Sequence, residues 1–118
     1  MSSSATDAPR PFDASVGAVG SSTVLRLSGD LTEADVPALR GLVDRAVAET
    51  ADRAARRLVI DVHELGSMAP AGLRCLAFAQ QHLPPTTEIA IDGASPSFHA
   101  ALDRGRLTQS MTVITATA

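Results

Sequence analysis

The sequence predicts one α/β domain: a mixed sheet with an N-terminal hairpin, parallel central strands and three to four helices. Three observations support this fold class. The 118 residues suffice for one compact domain, since domains commonly run to about 100–150 residues. Short apolar segments alternate with amphipathic ones in the order β-β-α-β-α-β-α-β, and strands that alternate with helices pair in parallel through right-handed crossovers. With 45% hydrophobic residues, the chain can fill a core.

The first two strands are predicted as a β-hairpin. Residues 1–11 are rich in small and polar side chains and contain two prolines, so we expect a flexible lead-in there. Apolar residues recur from Phe12 to Val19, a turn follows at residues 20–22, and a stronger strand runs from Thr23 to Ser28. The segment Gly29-Asp30-Leu31-Thr32 is predicted as a loop that breaks this strand, because glycine reaches backbone angles closed to other residues.

The first helix is predicted after this loop, with Asp35 as its N-cap and Pro37 in its first turn. Apolar residues then return at three- and four-residue spacing, which indicates one buried face. A polar connection over residues 51–56 leads to Leu58–Val62, an apolar run without alternation. Such a run favours a central strand that is covered on both faces.

Two further helices and two short strands complete the prediction. The second helix begins at Pro70 and ends near His82, because two prolines follow at 84 and 85. Ser95 and Pro96 supply an N-cap and a first helical residue for the third helix, which ends at Gly105. The strands are predicted at residues 89–91 and 111–114.

Composition excludes several classes of function. The chain has no lysine, which removes Schiff-base and P-loop chemistry, and its net charge of -3 argues against nucleic-acid binding. Cys75 is the only cysteine, and His63, His82 and His99 lie on different predicted elements without zinc-binding spacing. We therefore expect no metal, no cofactor and no enzymatic activity.

The first residues lack the pattern of a signal peptide, and no apolar run reaches the roughly 20 residues that span a bilayer, so a cytoplasmic protein without membrane insertion is expected.

Three segments in order resemble the STAS domain, the module of bacterial anti-sigma-factor antagonists that also occurs in anion transporters and lipid-transport complexes. The first is Leu27-Ser28-Gly29-Asp30-Leu31, similar to the family's strand ending in Gly-(Asp/Glu)-Leu. The second runs from Leu58 to Leu73 and is similar to a strand, loop and helix entrance ending Asp-Ser-Ser/Thr-Gly-Leu. The third is Ser95-Pro96 with the leucines and glycine that follow at 102, 105 and 107. The resemblance implies a STAS-like domain over residues 12–115.

One departure from the family falls at its regulatory site. In regulatory members the second hydroxyl residue of the motif is phosphorylated by a partner that is both kinase and anti-sigma factor, and here that position is Ala71. Ala69 replaces the aspartate and Pro70 the first serine. A methyl group cannot accept a phosphate, so this off-switch is expected to be lost. Ser67, the nearest hydroxyl upstream, is interpreted as a loop or capping serine, with a substitute phosphoacceptor as the sharper alternative.

The resemblance implies a non-enzymatic regulator that binds a kinase-like anti-sigma factor with an ATP-binding fold, and so frees a sigma factor for transcription. The alternative is a STAS-like accessory subunit of a membrane lipid-transport ATPase complex, and a homodimer is left open. The expected partner-binding residues lie in the first loop and at the entrance of the second helix: Gly29, Asp30, Leu31, Ser67, Met68, Ala69, Pro70, Ala71 and Gly72.

Overall fold

The computed structural model describes residues 10–115, which form a five-stranded mixed sheet with three α-helices. The α/β class and the predicted order of elements are confirmed. The elements are β1 (Asp13–Val19), β2 (Ser22–Leu31), α1 (Val36–Asp52), β3 (Arg57–Met68), α2 (Pro70–His82), β4 (Glu88–Ala94), α3 (Pro96–Arg104) and β5 (Thr112–Thr115). Short 3-10 turns precede α1 and β5. Residues 1–9 of the predicted lead-in lie outside the described residues, so its flexibility stays a prediction.

The strands lie in the sheet in the same order as in the chain, β1-β2-β3-β4-β5. Strands β1 and β2 pair antiparallel, and the other neighbours pair in parallel. Each parallel pair is joined by one helix, as expected for strand–helix–strand units. The hairpin and the parallel centre of the sheet are therefore confirmed.

The core lies between one face of the sheet and the helices. In β3, Leu58, Ile60 and Val62 are buried, whereas Val59 and Asp61 on the other face are only half-buried. The helices contribute a complementary set of buried residues to this core: Leu39, Val43, Ala46, Cys75, Leu76, Ala79 and Leu102. The prediction that β3 is covered on both faces is wrong, because its second face carries the partly exposed residues of an open sheet surface.

Two strands are longer than predicted, and this corrects the placement of several candidate residues. The segment Gly29–Leu31 is the end of β2 and not a loop, and β3 continues through Ser67 to Met68. Register shifts interrupt the β2–β3 pairing twice, so the ladder passes through bulges. Gly29, with a φ of +82°, is the residue that adopts an unusual backbone angle within the strand.

The start of α1 also differs from its prediction. Asp35 does not cap the helix; its carboxylate accepts hydrogen bonds at 3.0 Å from the backbone N–H and the hydroxyl of Thr32. This bond closes the 3-10 turn before the helix, and Pro37 lies in the first turn of α1 as predicted. In contrast, α2 has its predicted bounds, and the Ser95 hydroxyl accepts the Phe98 N–H at 3.2 Å to cap α3.

Candidate functional site

The candidate residues that the sequence placed in two separate segments meet at one corner of the molecule. Asp30 pairs with Ser67 and Leu31 pairs with Met68 where β2 and β3 end side by side. The N–H of Ala69 then donates to the Leu31 carbonyl at 2.8 Å, and α2 begins at the next residue. We call residues 29–31 and 67–72 the β2–β3 corner. Backbone pairing between the two strands makes it a single continuous surface.

The residues of the corner differ in their accessibility. Ser67 and Pro70 are exposed, whereas Asp30, Met68, Ala69 and Ala71 are half-buried and Gly29, Leu31 and Gly72 are buried. The buried residues can shape the surface but present little area to a partner. The outer part of the corner is therefore the β3 end and the first turn of α2.

Two glycines allow close packing inside the corner. A Cβ on Gly72 would lie 2.6 Å from Cγ and 2.8 Å from Sδ of Met68, and a Cβ on Gly29 would run into the Pro11 carbonyl. Met68 thus packs across the first turn of α2 and against the core. It is a half-buried contact between β3 and α2, so only part of its side chain is open to a partner.

Asp30 joins three segments of the chain by hydrogen bonds. Its Oδ2 accepts the backbone N–H of Arg10 at 2.8 Å, its Oδ1 accepts the Ser67 hydroxyl at 3.1 Å, and its own N–H donates to the Arg10 carbonyl at 3.0 Å. The Arg10 N–H and then the Ser67 hydroxyl lower the pKa of the Asp30 carboxyl, because these bonds stabilise the charged form. Ser67 is thus a hydrogen-bond donor to Asp30, and its hydroxyl does not cap α2.

The first turn of α2 carries no hydroxyl group. Ala69 occupies the N-cap position without a side-chain hydrogen bond, Pro70 is the first helical residue, and Ala71 follows half-buried. Ser95 at the same position of α3 does cap its helix. Pro70 has no backbone N–H, and the Gly72 N–H donates to the Ala69 carbonyl at 2.8 Å, so part of the donor set that a helix start leaves without partners is accounted for without a capping side chain.

A cleft opens next to the corner because β3 leaves β4. The two strands pair only as far as Asp61 and Asp92, whereas β3 continues beside β2 to Met68. The resulting cavity of about 210 Å³ lies between the end of β3 and the start of α3. Its walls combine apolar and hydroxyl side chains, among them Val62, Met68, Phe98, Ser67, Ser95 and Ser97.

A row of charged side chains crosses the open face of the sheet at this fork. The Asp61 carboxylate accepts from Arg26 at 3.1 Å and from the His63 ring at 2.8 Å, and His63 lies 3.8 Å from Asp92. Burial opposes ionisation of Asp61, but the bonds from His63 and Arg26 outweigh it and lower its pKa. The same hydrogen bond raises the pKa of His63. His63 is therefore part of an acidic cluster with Asp61 and Asp92.

Sequence reasoning missed Arg10 and His63 as members of these clusters. The hairpin register contains a signal for Arg10. Asp13 pairs with Ser28 in the antiparallel hairpin, so extending this register by two residues brings Pro11, the neighbour of Arg10, opposite Asp30. His63 had a local signal, because side chains two positions apart on a strand share a face and its ring contacts Asp61 at 2.8 Å. Its approach to Asp92 depends on the pairing of β3 with β4. Cys75 is buried in α2, and burial raises the pKa of its thiol, so it lies apart from the corner as a core residue.

Two other kinds of site are absent from residues 10–115. No helix in this range is both long and apolar enough to cross a membrane. Within the same residues, no three His, Cys, Asp or Glu side chains are grouped so that they could hold a metal ion.

The sheet order, the three crossover helices and the β2–β3 corner define an α/β domain of the STAS type. The family described as "Mlab, STAS domain" matches residues 14–115. The chain therefore belongs to the STAS family, as the resemblance of its three segments implied. A search of curated proteins found no significant match.

Three similar solved structures share this fold. A structure described as an anti-sigma factor antagonist from Mycobacterium paratuberculosis has a TM-score of 0.78 at 21% identity and covers 91% of this chain and 88% of its own. The anti-sigma factor antagonist SpoIIAA in its unphosphorylated form has a TM-score of 0.64 at 18% identity, with 91% and 90% covered. The Bacillus cell fate determinant SpoIIAA in its phosphorylated form gives 0.65 and 18%, with 87% and 92% covered.

Proposed function

We propose that this chain is a non-enzymatic, cytoplasmic anti-sigma-factor antagonist that binds a kinase-like anti-sigma factor through the β2–β3 corner. One observation carries the proposal: two segments far apart in sequence, residues 29–31 and 67–72, are joined into one surface by the pairing of Asp30 with Ser67 and of Leu31 with Met68. A surface built from paired strand ends and a helix start is rigid, which favours binding because little ordering entropy is lost on association.

The solved structures support the partner class. Two of the similar structures are described as anti-sigma factor antagonists, and each covers about nine-tenths of this chain. Because identity to them is 21% or less, the partner must be tested directly.

Ala71 makes the proposed binding insensitive to phosphorylation at this position. A phosphate here would add about -1.5 to -2 charge at the start of α2, where the helix dipole attracts it but a packed interface would be disturbed. The half-buried methyl group of Ala71 keeps the site neutral. The protein is thus a constantly available antagonist in this proposal.

Affinity capture from the native host tests the proposal. The tagged protein is used with the variant Pro70→Glu, which places a charge on the exposed first residue of α2. Pro85→Glu is the control, because Pro85 is also exposed but follows the other end of α2. A glutamate in the first turn is compatible with the helix dipole, so Pro70→Glu should fold. Capture of an ATP-binding anti-sigma factor by the wild type and Pro85→Glu, and not by Pro70→Glu, would support the proposal.

The captured partner then tests the role of Ala71. With ATP, the wild-type protein should keep its mass, whereas Ala71→Ser should gain the mass of one phosphoryl group at residue 71. A phosphate mapped to Ser67 or another hydroxyl of the wild type would show that the chain has kept an off-switch.

A second function is favoured by the same alanine. A STAS-like accessory subunit of a membrane lipid-transport ATPase complex needs no phosphoacceptor, and Ala71 fits that role equally well. Capture of transporter components from the membrane fraction, with loss in Pro70→Glu, would move the protein to this function.

A further inference from the structure

An arginine, Arg10, lies beside Asp30 at the β2–β3 corner. Arg10 is exposed, and its Nη2 donates to the Glu64 carbonyl at 3.3 Å. This long bond is the one side-chain hydrogen bond that Arg10 makes within residues 10–115. A guanidinium has five N–H donors, so most of its hydrogen-bonding capacity is unused by residues 10–115.

The Asp30 carboxylate is less available to a partner than the arginine beside it. Both of its oxygens accept hydrogen bonds from within the chain, from the Arg10 N–H and the Ser67 hydroxyl. A partner that bound this carboxylate directly would compete with both donors, and breaking bonds to a charged group costs more than breaking neutral ones.

Two glycines make room for this cluster. A Cβ on Gly29 would collide with the Pro11 carbonyl, and a Cβ on Gly66 would collide with the Asp30 carboxylate and lie 3.0 Å from Nη2 of Arg10. The backbone of Arg10 and Pro11 therefore sits against the end of β2, and the guanidinium lies across the end of β3. The position of Arg10 is therefore fixed by backbone packing as well as by its side chain.

We propose that Arg10 contacts an acidic group of the partner protein, and that Asp30 is a positioning residue that holds Arg10 at the corner. This inference rests on the proposed function for the place of the surface, and it adds the chemistry that the partner must offer. Guanidinium groups pair with carboxylates in a two-pronged geometry, so the matching partner group is an Asp or Glu side chain.

The change in partner affinity caused by Arg10→Ala tests whether Arg10 or a neighbouring acid makes the contact. If Arg10 is the contact, Arg10→Ala should weaken binding of the captured protein by about fivefold and Arg10→Glu by more. Arg10→Lys should lie between the wild type and Arg10→Ala, because an ammonium keeps the charge but cannot form the two-pronged pair. If Asp30 or Glu64 is the contact, removing the competing cation should tighten binding. The bonds between the Arg10 backbone and Asp30 remain in every one of these variants, because on the Arg10 side they use only main-chain atoms. Arg56→Glu is the matched control, since Arg56 is exposed just before the opposite end of β3.

Hydrogen exchange tests the positioning role of Asp30 without a partner. The Arg10 amide should exchange slowly in the wild type and faster in Asp30→Ala, while amides in α3 stay unchanged. An Arg10 amide that exchanges at the rate of a free peptide in the wild type would overturn the inference.

The binding outcomes distinguish the two proposals. Tighter or unchanged binding by Arg10→Ala would refute the contact role of Arg10 and leave the anti-sigma partner intact. A transporter ATPase that is captured by the wild type and lost in Arg10→Glu would support the contact role and overturn the proposed function. Capture of no protein that depends on the corner would overturn both.

Discussion

Replacing Gly72 by alanine should reveal how tightly β3 and α2 are packed at the corner. The new Cβ would lie 2.6 Å from Cγ of Met68 and 3.2 Å from Cδ2 of Leu31, and such overpacking costs about 1–3 kcal/mol. Alanine in place of glycine in a helix returns about 0.5–1 kcal/mol. We therefore expect Gly72→Ala to lower the free energy of unfolding by about 1 kcal/mol.

The same substitution should have the opposite sign once Met68 is shortened. In a Met68→Ala background the Cβ of residue 72 meets no Cγ or Sδ, so Gly72→Ala should raise the free energy of unfolding by about 0.5–1 kcal/mol. The double-mutant cycle should then give a coupling energy of about 1.5–2 kcal/mol, within the range for residues in contact.

Urea unfolding followed by far-UV circular dichroism provides the assay, because the chain has no Trp or Tyr for fluorescence. Equal effects of Gly72→Ala in the two backgrounds would refute the reasoning. In that case Met68 would not limit the space above the first turn of α2, and the half-buried position of Met68 would not explain the glycine.

Four further predictions concern the fork, the α3 cap and the core. The stabilising contribution of the His63–Asp61 pair should be present below about pH 6.5 and lost as pH rises through the raised folded-state pKa of His63. His63→Gln should flatten this pH dependence of the unfolding free energy. An unaltered slope in His63→Gln would argue against a stabilising pair. Gly93→Ala should cost about 1–3 kcal/mol, because Gly93 has a φ of +87° and its Cβ would meet the His63 ring; a neutral effect in urea unfolding would contradict this. Ser95→Ala should cost about 0.5–2 kcal/mol through loss of the α3 cap, with Ser95→Asp retaining most of the stability in the same assay. Cys75 should react with a thiol reagent only as fast as the protein opens, because it is buried with a raised thiol pKa; rapid labelling of the native protein would be inconsistent with that burial.

Local signals predicted the helices well and the strand ends poorly. Ser95 and Pro96 define the start of α3 because a capping hydroxyl and a preset φ act within three residues. The ends of β2 and β3 depend on each other: Gly29 and Gly66 are typical of loops when read alone, yet both lie in paired strands. A pairing between residues more than thirty positions apart leaves no local pattern.

The residues of the candidate site were proposed from the sequence, and the structure corrects the elements that carry them. The segments around Asp30 and Ala71 were identified by resemblance, and their meeting at one corner follows from the parallel β2–β3 pairing. Arg10 entered the site through the hairpin register, which the turn at Gly20 sets. The N-cap at Asp35 failed because a competing bond with Thr32 tightens the preceding residues into a 3-10 turn.

The strands lie in the sheet in the order in which they are synthesised, and this has a consequence for folding on the ribosome. Each parallel strand joins the edge left by the strand made just before it, so no late strand has to insert between two that are already paired. Domains generally fold as units, with earlier parts emerging first. The strands and helix that carry the β2–β3 corner are complete at His82, before β4 leaves the tunnel. A nascent chain could thus assemble its recognition surface first and use the remaining residues to close the exposed edge of β3.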